Sequence, residues 1–191
     1  MKPALFFICI TINSALSAQI ISDFTLQNVS DESTISLSSY SDSKGVVVIF
    51  TSNNCPYSKL YENRILELYR AYSGSGLSFI LINSNSPQIS PEDQMPKMKS
   101  KATKKSYPFP YLADKDQKVS KAFSARKNPE AFLLKPNGSQ YHIVYRGSID
   151  DNPQNDRDVQ NAYLVNAIER LLQNKPIQMD NSRPVGCMIK S

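Results

Sequence analysis

The chain has little of what most catalytic chemistry needs. It carries one histidine and three cysteines in 191 residues; with Cys9 in the N-terminal apolar stretch set aside, Cys55, Cys187 and the histidine are fewer soft ligands than a closed four-coordinate zinc or copper site needs. That histidine, His142, lies among apolar residues in a β-type run and reads as a strand residue rather than a ligand or a general base. No Ser-His-Asp arrangement stands out, and the six glycines form no phosphate-cradling loop. No metal and no cofactor is implied.

The excess of one charge sign is small too: 22 basic against 17 acidic residues leave a net charge of +5, which requires no nucleic-acid partner. The densest basic run (Lys97, Lys99, Lys101, Lys104, Lys105) lacks interleaved aromatics and reads as a solvated helix face. Asp150, Asp151, Asn152, Asp156 and Asp158 do not have the spacing of a twelve-residue calcium loop and read as a solvated loop with a helix cap. There is no internal repeat and no long low-complexity segment.

The apolar stretch Ala4–Ile12 is too short to span a bilayer, but it has the length of a signal-peptide core. Lys2 precedes it and small residues lead to Ala18, so residues 1–18 read as an export signal cleaved before Gln19, with a retained anchor as the alternative. Cys9 has no small-residue spacer before it, which excludes a lipid-modified cysteine. The expected product is an exported protein, periplasmic or secreted, with no stable membrane anchor: one domain over 19–174 and a tail over 175–191.

Two cysteines then remain, Cys55 and Cys187, in a setting where disulfides persist. Cys55 follows an apolar β-type run, Val46–Phe50, and a short polar turn, at the point where an amphipathic helix begins. Unpaired N–H groups and the positive end of the helix dipole stabilise a thiolate there. Lowering a thiol pKa from about 8.5 to about 7 would raise the thiolate fraction at neutral pH from roughly 3% to roughly 50%. Pro56 suits the first helical position because its missing N–H is not needed. Tyr57 and Ser58 complete a C-x-x-S motif, so the helix turn holds one accessible nucleophile and no local partner. Cys187 lies in a tail that ends in Val185-Gly186-Cys187-Met188-Ile189, apolar enough to dock on the domain. It either reaches Cys55 or docks elsewhere as a small apolar residue or an intersubunit thiol.

The rest of the pattern gives a mixed α/β order. Asp23–Leu26 and Thr34–Leu37 read as a β-hairpin, Pro56 to about Tyr72 as a helix, and Leu77–Asn83 as a buried strand. Ser90-Pro91-Glu92-Asp93 opens a helix running to about Lys105, Tyr107–Ala113 is extended, and Gln117–Phe123 is a short helix. Asn137-Gly138 joins Ala131–Leu134 to Tyr141–Tyr145 as a hairpin, and a last helix covers about Arg157 to Gln173.

This order resembles the thioredoxin-like superfamily: a central mixed β-sheet flanked by helices, with an N-terminal β-hairpin and a helical insertion. Within it the chain looks most like the redoxin branch, related to alkyl hydroperoxide reductase and thiol-specific antioxidant proteins. More narrowly, it is similar to exported bacterial members with an N-x-C-P-Y motif, here Asn53, Cys55, Pro56 and Tyr57, and a P-x-G-C-x-I-K tail, here Pro184 to Lys190. The resemblance implies a cis proline facing the cysteine, matched by Asn128-Pro129, in a loop that presents backbone groups to substrate. It implies a substrate-binding set of Asn54, Pro56, Tyr57, Ser58, Asn128 and Pro129 around catalytic Cys55, with Cys187 or an external thiol resolving the mixed disulfide. The implied partners are protein or small-molecule thiols and disulfides, peroxide, and an external thiol reductant, with no nucleic acid. Ile49 stands where thioredoxins often bury an acid, and Ser52 where peroxiredoxins carry threonine. The leading expectation is a thiol-disulfide oxidoreductase; the alternatives are a thiol peroxidase and a catalytically silent binding module.

Overall fold

Two runs of branched and aromatic residues build the centre of the molecule. In the computed structural model, which describes residues 19–177 and 182–191, Gly45–Phe50 and Leu77–Asn83 pair in parallel, register Gly45↔Leu77 to Phe50↔Ile82. The signal segment expected over 1–18 lies outside the described residues. In chain order the elements are β1 (Ile20–Ile21), β2 (Thr25–Asn28), β3 (Thr34–Ser36), β4 (Gly45–Phe50), α1 (Pro56–Tyr72), β5 (Leu77–Asn83), α2 (Met95–Lys105) and β6 (Tyr111–Ala113). They continue as α3 (Lys118–Phe123), β7 (Lys127–Asn128), β8 (Glu130–Asn137), β9 (Gln140–Gly147), α4 (Tyr163–Leu172) and β10 (Cys187–Met188). Eight strands form a mixed sheet in the order β1-β9-β8-β4-β5-β6-β2-β3, and β10 pairs with β7 apart from it.

Strand alternation divides the core between the sheet's two faces. Val47, Ile49, Phe79, Leu81, Ala131 and Leu133 point to one face, where Tyr61, Ile65 and Leu68 of α1, Met98 and Ala102 of α2, and Leu164 and Ile168 of α4 cover them. Val46, Val48, Phe50, Ile80, Ile82, Phe132 and Leu134 point to the other, beneath Val119 and Phe123 of α3 and Leu37. Because β4 is covered on both faces, every residue from Gly45 to Phe50 is buried, as expected of a central strand in a partly parallel sheet. Ile49, at 1% exposure, is part of that core.

Five expectations of the fold need correction. The helix expected from Ser90 begins at Met95. Pro96 has no N–H for the Glu92 carbonyl, which instead accepts from Asn53 Nδ2 at 2.8 Å. The final helix begins at Tyr163 rather than Arg157. Ahead of it, the Asp151 carboxylate takes the Gln160 N–H and the Asn161 amide, and Asn152 Oδ1 takes the N–H groups of Gln154 and Asn155. Such side-chain bonds compete with helix formation.

The β8–β9 hairpin turns through Gly138-Ser139, one position later than expected, since Asn137 pairs with Gln140 and Gly138 has φ +62°. Two groups read as solvated are paired. Lys101 and Lys105 lie 2.6 and 2.8 Å from the buried Glu62 carboxylate, and buried Asp150 accepts from Arg64 and Tyr61, each at 2.7 Å. The strand β1, which pairs with β9, is too short to show in the sequence pattern.

Candidate active site

The site is built where β4 and β5 end and α1 begins, outside the carboxyl edge of the parallel strands, the usual place for a site in an open α/β sheet. Thr51 donates to the Ile82 carbonyl at 2.8 Å, which extends the β4–β5 pairing by one residue before the chain turns. Cys55 is the N-cap residue of α1, and Pro56 is its first helical residue. Asn54 and Pro56 are exposed, Tyr57 is half-buried and Ser58 is fully buried. The Ser58 hydroxyl accepts from the Ser52 N–H at 3.3 Å and closes the turn around the cysteine.

Beneath this turn lies a carboxylate that the sequence pattern did not single out. Asp93, 4% exposed, accepts from the Ser52 hydroxyl, the Asn53 N–H at 2.6 Å, the Asn83 and Asn85 amides at 2.8 Å each, and the Ser90 hydroxyl at 2.6 Å. Burial opposes its ionisation, but these bonds from Ser90, Asn85, Asn83 and the Asn53 N–H outweigh burial and hold its pKa below the ordinary aspartate value. Tyr111, on β6, donates to Asn53 Oδ1 at 3.0 Å. The signal that could have revealed this network is the polar run Asn83-Ser84-Asn85-Ser86 at the end of an apolar strand.

Across from Cys55, the Asn128–Pro129 peptide is cis. The Asn128 carbonyl oxygen lies 3.0 Å from Cys55 Sγ, and a reduced Cys55 thiol can donate to it. Next to the proline, the buried Glu130 carboxylate accepts from the Arg126 and Lys127 N–H groups and from Arg146 Nε, which fixes the loop from its own far side. Asn128 Nδ2 donates to Asn85 Oδ1 at 3.1 Å.

The C-terminal segment completes the arrangement. Cys187 is disulfide-bonded to Cys55, with the two Cα atoms 5.9 Å apart and a sequence separation of 132. Around the bond the tail lies antiparallel to β7, with Cys187 opposite Asn128 and Met188 opposite Lys127. Lys127 Nζ donates to the Gly186 carbonyl at 3.1 Å, and the Ile189 N–H donates to the Arg126 carbonyl at 2.9 Å. A Cβ on Gly186 would overlap the Asn128 carbonyl oxygen and lie 2.7 Å from its carbon, so only glycine lets the tail approach this closely.

The expectation of an accessible Cys55 is therefore corrected. Covered by the tail, the residue is 3% exposed. The structure brings Cys55, Ser58, Asn128, Pro129 and Cys187 into one constellation, while Asn54, Pro56 and Tyr57 share the turn that carries the cysteine. Among the described residues no group of three or more His, Cys, Asp or Glu side chains is placed to hold a metal ion.

The model of the AhpC/TSA family matches residues 18–143 of this chain. The chain belongs to the AhpC/TSA family. Two solved structures share both its fold and a substantial part of its sequence. A hypothetical protein from Sinorhizobium meliloti 1021 is 32% identical over 91% of this AhpC/TSA chain and 93% of its own, with a TM-score of 0.82. An uncharacterized conserved protein from Geobacillus kaustophilus is also 32% identical, over 91% of each chain, with a TM-score of 0.84. A thiol:disulfide interchange protein from Bacteroides sp. is 14% identical, over 82% of this chain and 90% of its own, with a TM-score of 0.60. That last likeness is one of fold and makes the architecture thioredoxin-like. Comparison with curated proteins found no match. The AhpC/TSA match ends before Cys187, so the bond to the tail draws on a segment outside it.

Proposed function

We propose that this protein is a thiol-disulfide oxidoreductase in which Cys55 is the nucleophile and Cys187 the resolving thiol. The observation that carries this reading is the disulfide from the first turn of α1 to the tail. The Cys55 thiolate attacks a substrate disulfide R–S–S–R′, forming a bond to R–S while R′–S⁻ leaves and takes a proton. The Cys187 thiolate then attacks Cys55 Sγ, the mixed disulfide breaks, and R–S⁻ leaves in turn. Two electrons pass from the protein dithiol to the substrate, and the Cys55–Cys187 bond remains for an external thiol reductant to reopen. Ser58 cannot perform the second step, which is why the chain needs a thiol from elsewhere. The substrates are protein or small-molecule disulfides, and export to the periplasm or beyond suits a disulfide that must persist.

The peroxidase alternative is weaker for a local reason. The Ser52 hydroxyl, three residues before the cysteine, donates to Asp93 and accepts from the Asn54 N–H and the Asn85 amide. It has no hydrogen left for a peroxide oxygen at Cys55. The deciding experiment measures insulin-disulfide reduction and peroxide consumption on the same preparations of wild type, Cys55→Ser and Cys187→Ser. We expect disulfide reduction to vanish in Cys55→Ser, and Cys187→Ser to accumulate a mixed disulfide with substrate. Peroxide consumption exceeding disulfide reduction would establish the peroxidase instead; neither activity in wild type would leave a binding module.

A further inference from the structure

Three residues beyond Cys187, both polar backbone groups of one residue are gripped by the domain. The Lys190 N–H donates to Asn85 Oδ1 at 2.9 Å. Its carbonyl accepts from the Ser86 N–H at 2.8 Å and from Gln117 Nε2 at 2.7 Å. Asn85 and Gln117 are buried, at 5% and 9% exposure, and come from segments more than thirty residues apart. We propose that this pair is a positioning clamp: Asn85 and Gln117 seat the reduced tail, so that Cys187 stands beside Cys55 before any bond forms.

The clamp is set independently of the tail. Asn85 Nδ2 donates to Asp93 and to the Ser52 hydroxyl, and its Oδ1 also accepts from Asn128. A carboxylate partner fixes which end of the amide faces which way, so Oδ1 is already aimed at the tail. Gln117 uses one amide hydrogen on the Ser84 carbonyl at 2.8 Å and the other on Lys190. Its backbone sits at φ +57°, a region that glutamine rarely adopts. When the tail leaves, a buried N–H of Gln117 loses its partner and Asn85 Oδ1 loses one of two donors, so the free clamp favours rebinding. The same asparagine touches the turn before Cys55, the proline loop and the tail, linking the position of the resolving thiol to the nucleophile's own scaffold.

The inference rests on the resolving role proposed for Cys187, and its consequence is a raised effective concentration of that thiol at Cys55. The measurable exchange is protein dithiol plus oxidised glutathione giving protein disulfide plus two reduced glutathiones, with two electrons and two protons passing to glutathione. Gln117→Met preserves length but removes both donors; Lys190→Pro removes the N–H that Asn85 accepts. Each is expected to lower the equilibrium constant for the Cys55–Cys187 bond about five- to tenfold, the usual effect of losing one buried hydrogen bond; tenfold corresponds to about 30 mV.

In a Cys187→Ser background, where the tail still covers Cys55, the same substitutions should raise the alkylation rate of Cys55, because a loosened tail uncovers the nucleophile more often. An unchanged equilibrium constant in either variant overturns the clamp, as does a Cys55 alkylation rate that stays the same or falls. If Gln117→Met fails to fold, Lys190→Pro, confined to the tail, decides. Failure of the resolving role reads differently: wild type then forms no Cys55–Cys187 bond in any glutathione buffer.

Discussion

The two cysteines of the bond belong to segments held in opposite ways. Cys55 lies between β4, buried along its whole length, and the seventeen-residue α1, on a turn tied from below by Asp93. Cys187 lies on a two-residue strand held by backbone hydrogen bonds to β7, Ser86 and the polar side chains of Asn85 and Gln117. One cysteine is built into the fold; the other is laid against it. A nucleophile must be held in a fixed geometry, whereas a resolving thiol must give way to substrate and then return. The difference in scaffolding suits the division of labour proposed for Cys55 and Cys187.

The largest expected effect would break the fixed side. Asp93→Ala leaves the Ser52 hydroxyl, the Asn83 and Asn85 amides and the Asn53 N–H without their acceptor, and should cost about 3–5 kcal/mol. Cys187→Ser, compared with wild type under reducing conditions, should cost less than about 1 kcal/mol. Denaturant unfolding of both variants checks the contrast; equal losses would mean that the tail is as integral to the fold as the active turn.

Gly186→Ala should act on the tail side alone. The added methyl overlaps the Asn128 carbonyl, so the tail must lift. The penalty of about 1–3 kcal/mol typical of overpacking lowers the equilibrium for bond formation about five- to 150-fold. A glutathione titration reads this, while unfolding of the reduced protein should remain at the wild-type midpoint.

Ser58→Cys would move the resolving thiol from the tail to the fixed segment. A bond from Cys55 to the introduced thiol, within one helical turn, leaves Cys187 free. A maleimide should then label Cys187 in the oxidised variant and not in oxidised wild type, and turnover with a dithiol reductant should rise. Absence of labelling would mean that the tail competes successfully even against an adjacent thiol.

The smallest effect is acid sensitivity. Asp93 and Glu62 both have pKa values held below the ordinary carboxylate range: for each, burial works against the shift and hydrogen bonds overcome it, with Lys101 and Lys105 supplying those at Glu62. Each therefore contributes stability that is present above about pH 4, the unfolded carboxylate value, and lost as pH falls through the lower folded value. Asp93→Asn should flatten this loss relative to wild type in unfolding curves taken from about pH 5 downward; an unchanged slope would assign the acid sensitivity to Glu62.

Much of the scaffold was legible because periodicity reports burial. The runs Val46–Phe50 and Leu77–Asn83 and the helix from Pro56 to Tyr72 fall where their patterns put them, since the two strands are covered on both faces and read as continuous apolar runs, while the helix turns one apolar face to the sheet. The place of Cys55 at a helix start was legible from the strand-turn-helix junction alone. What periodicity could not reach was partnership. Asp93 sits in an acidic, proline-containing stretch that looks like a helix start, and only tertiary contact turns its carboxylate inward. The start of the last helix was missed because Asp151 and Asn152 divert backbone N–H groups. The tail gave apolar residues but no address, because the hydrogen bonds that flank Cys187 are made by backbone groups of the tail, which every sequence has.

The separation of 132 residues between the bonded cysteines ties redox chemistry to unfolding through a thermodynamic cycle. Closing a loop of that length removes enough disorder from the unfolded chain to be worth about 5 kcal/mol in the chain-entropy model. Traversed the other way, the same cycle states that folding makes the bond about three to four powers of ten easier to form than it is in the unfolded chain. A reductant in the surroundings thus acts on this molecule as a mild denaturant, and a thermal melt taken across a series of redox buffers would record the redox state of the site without any substrate present.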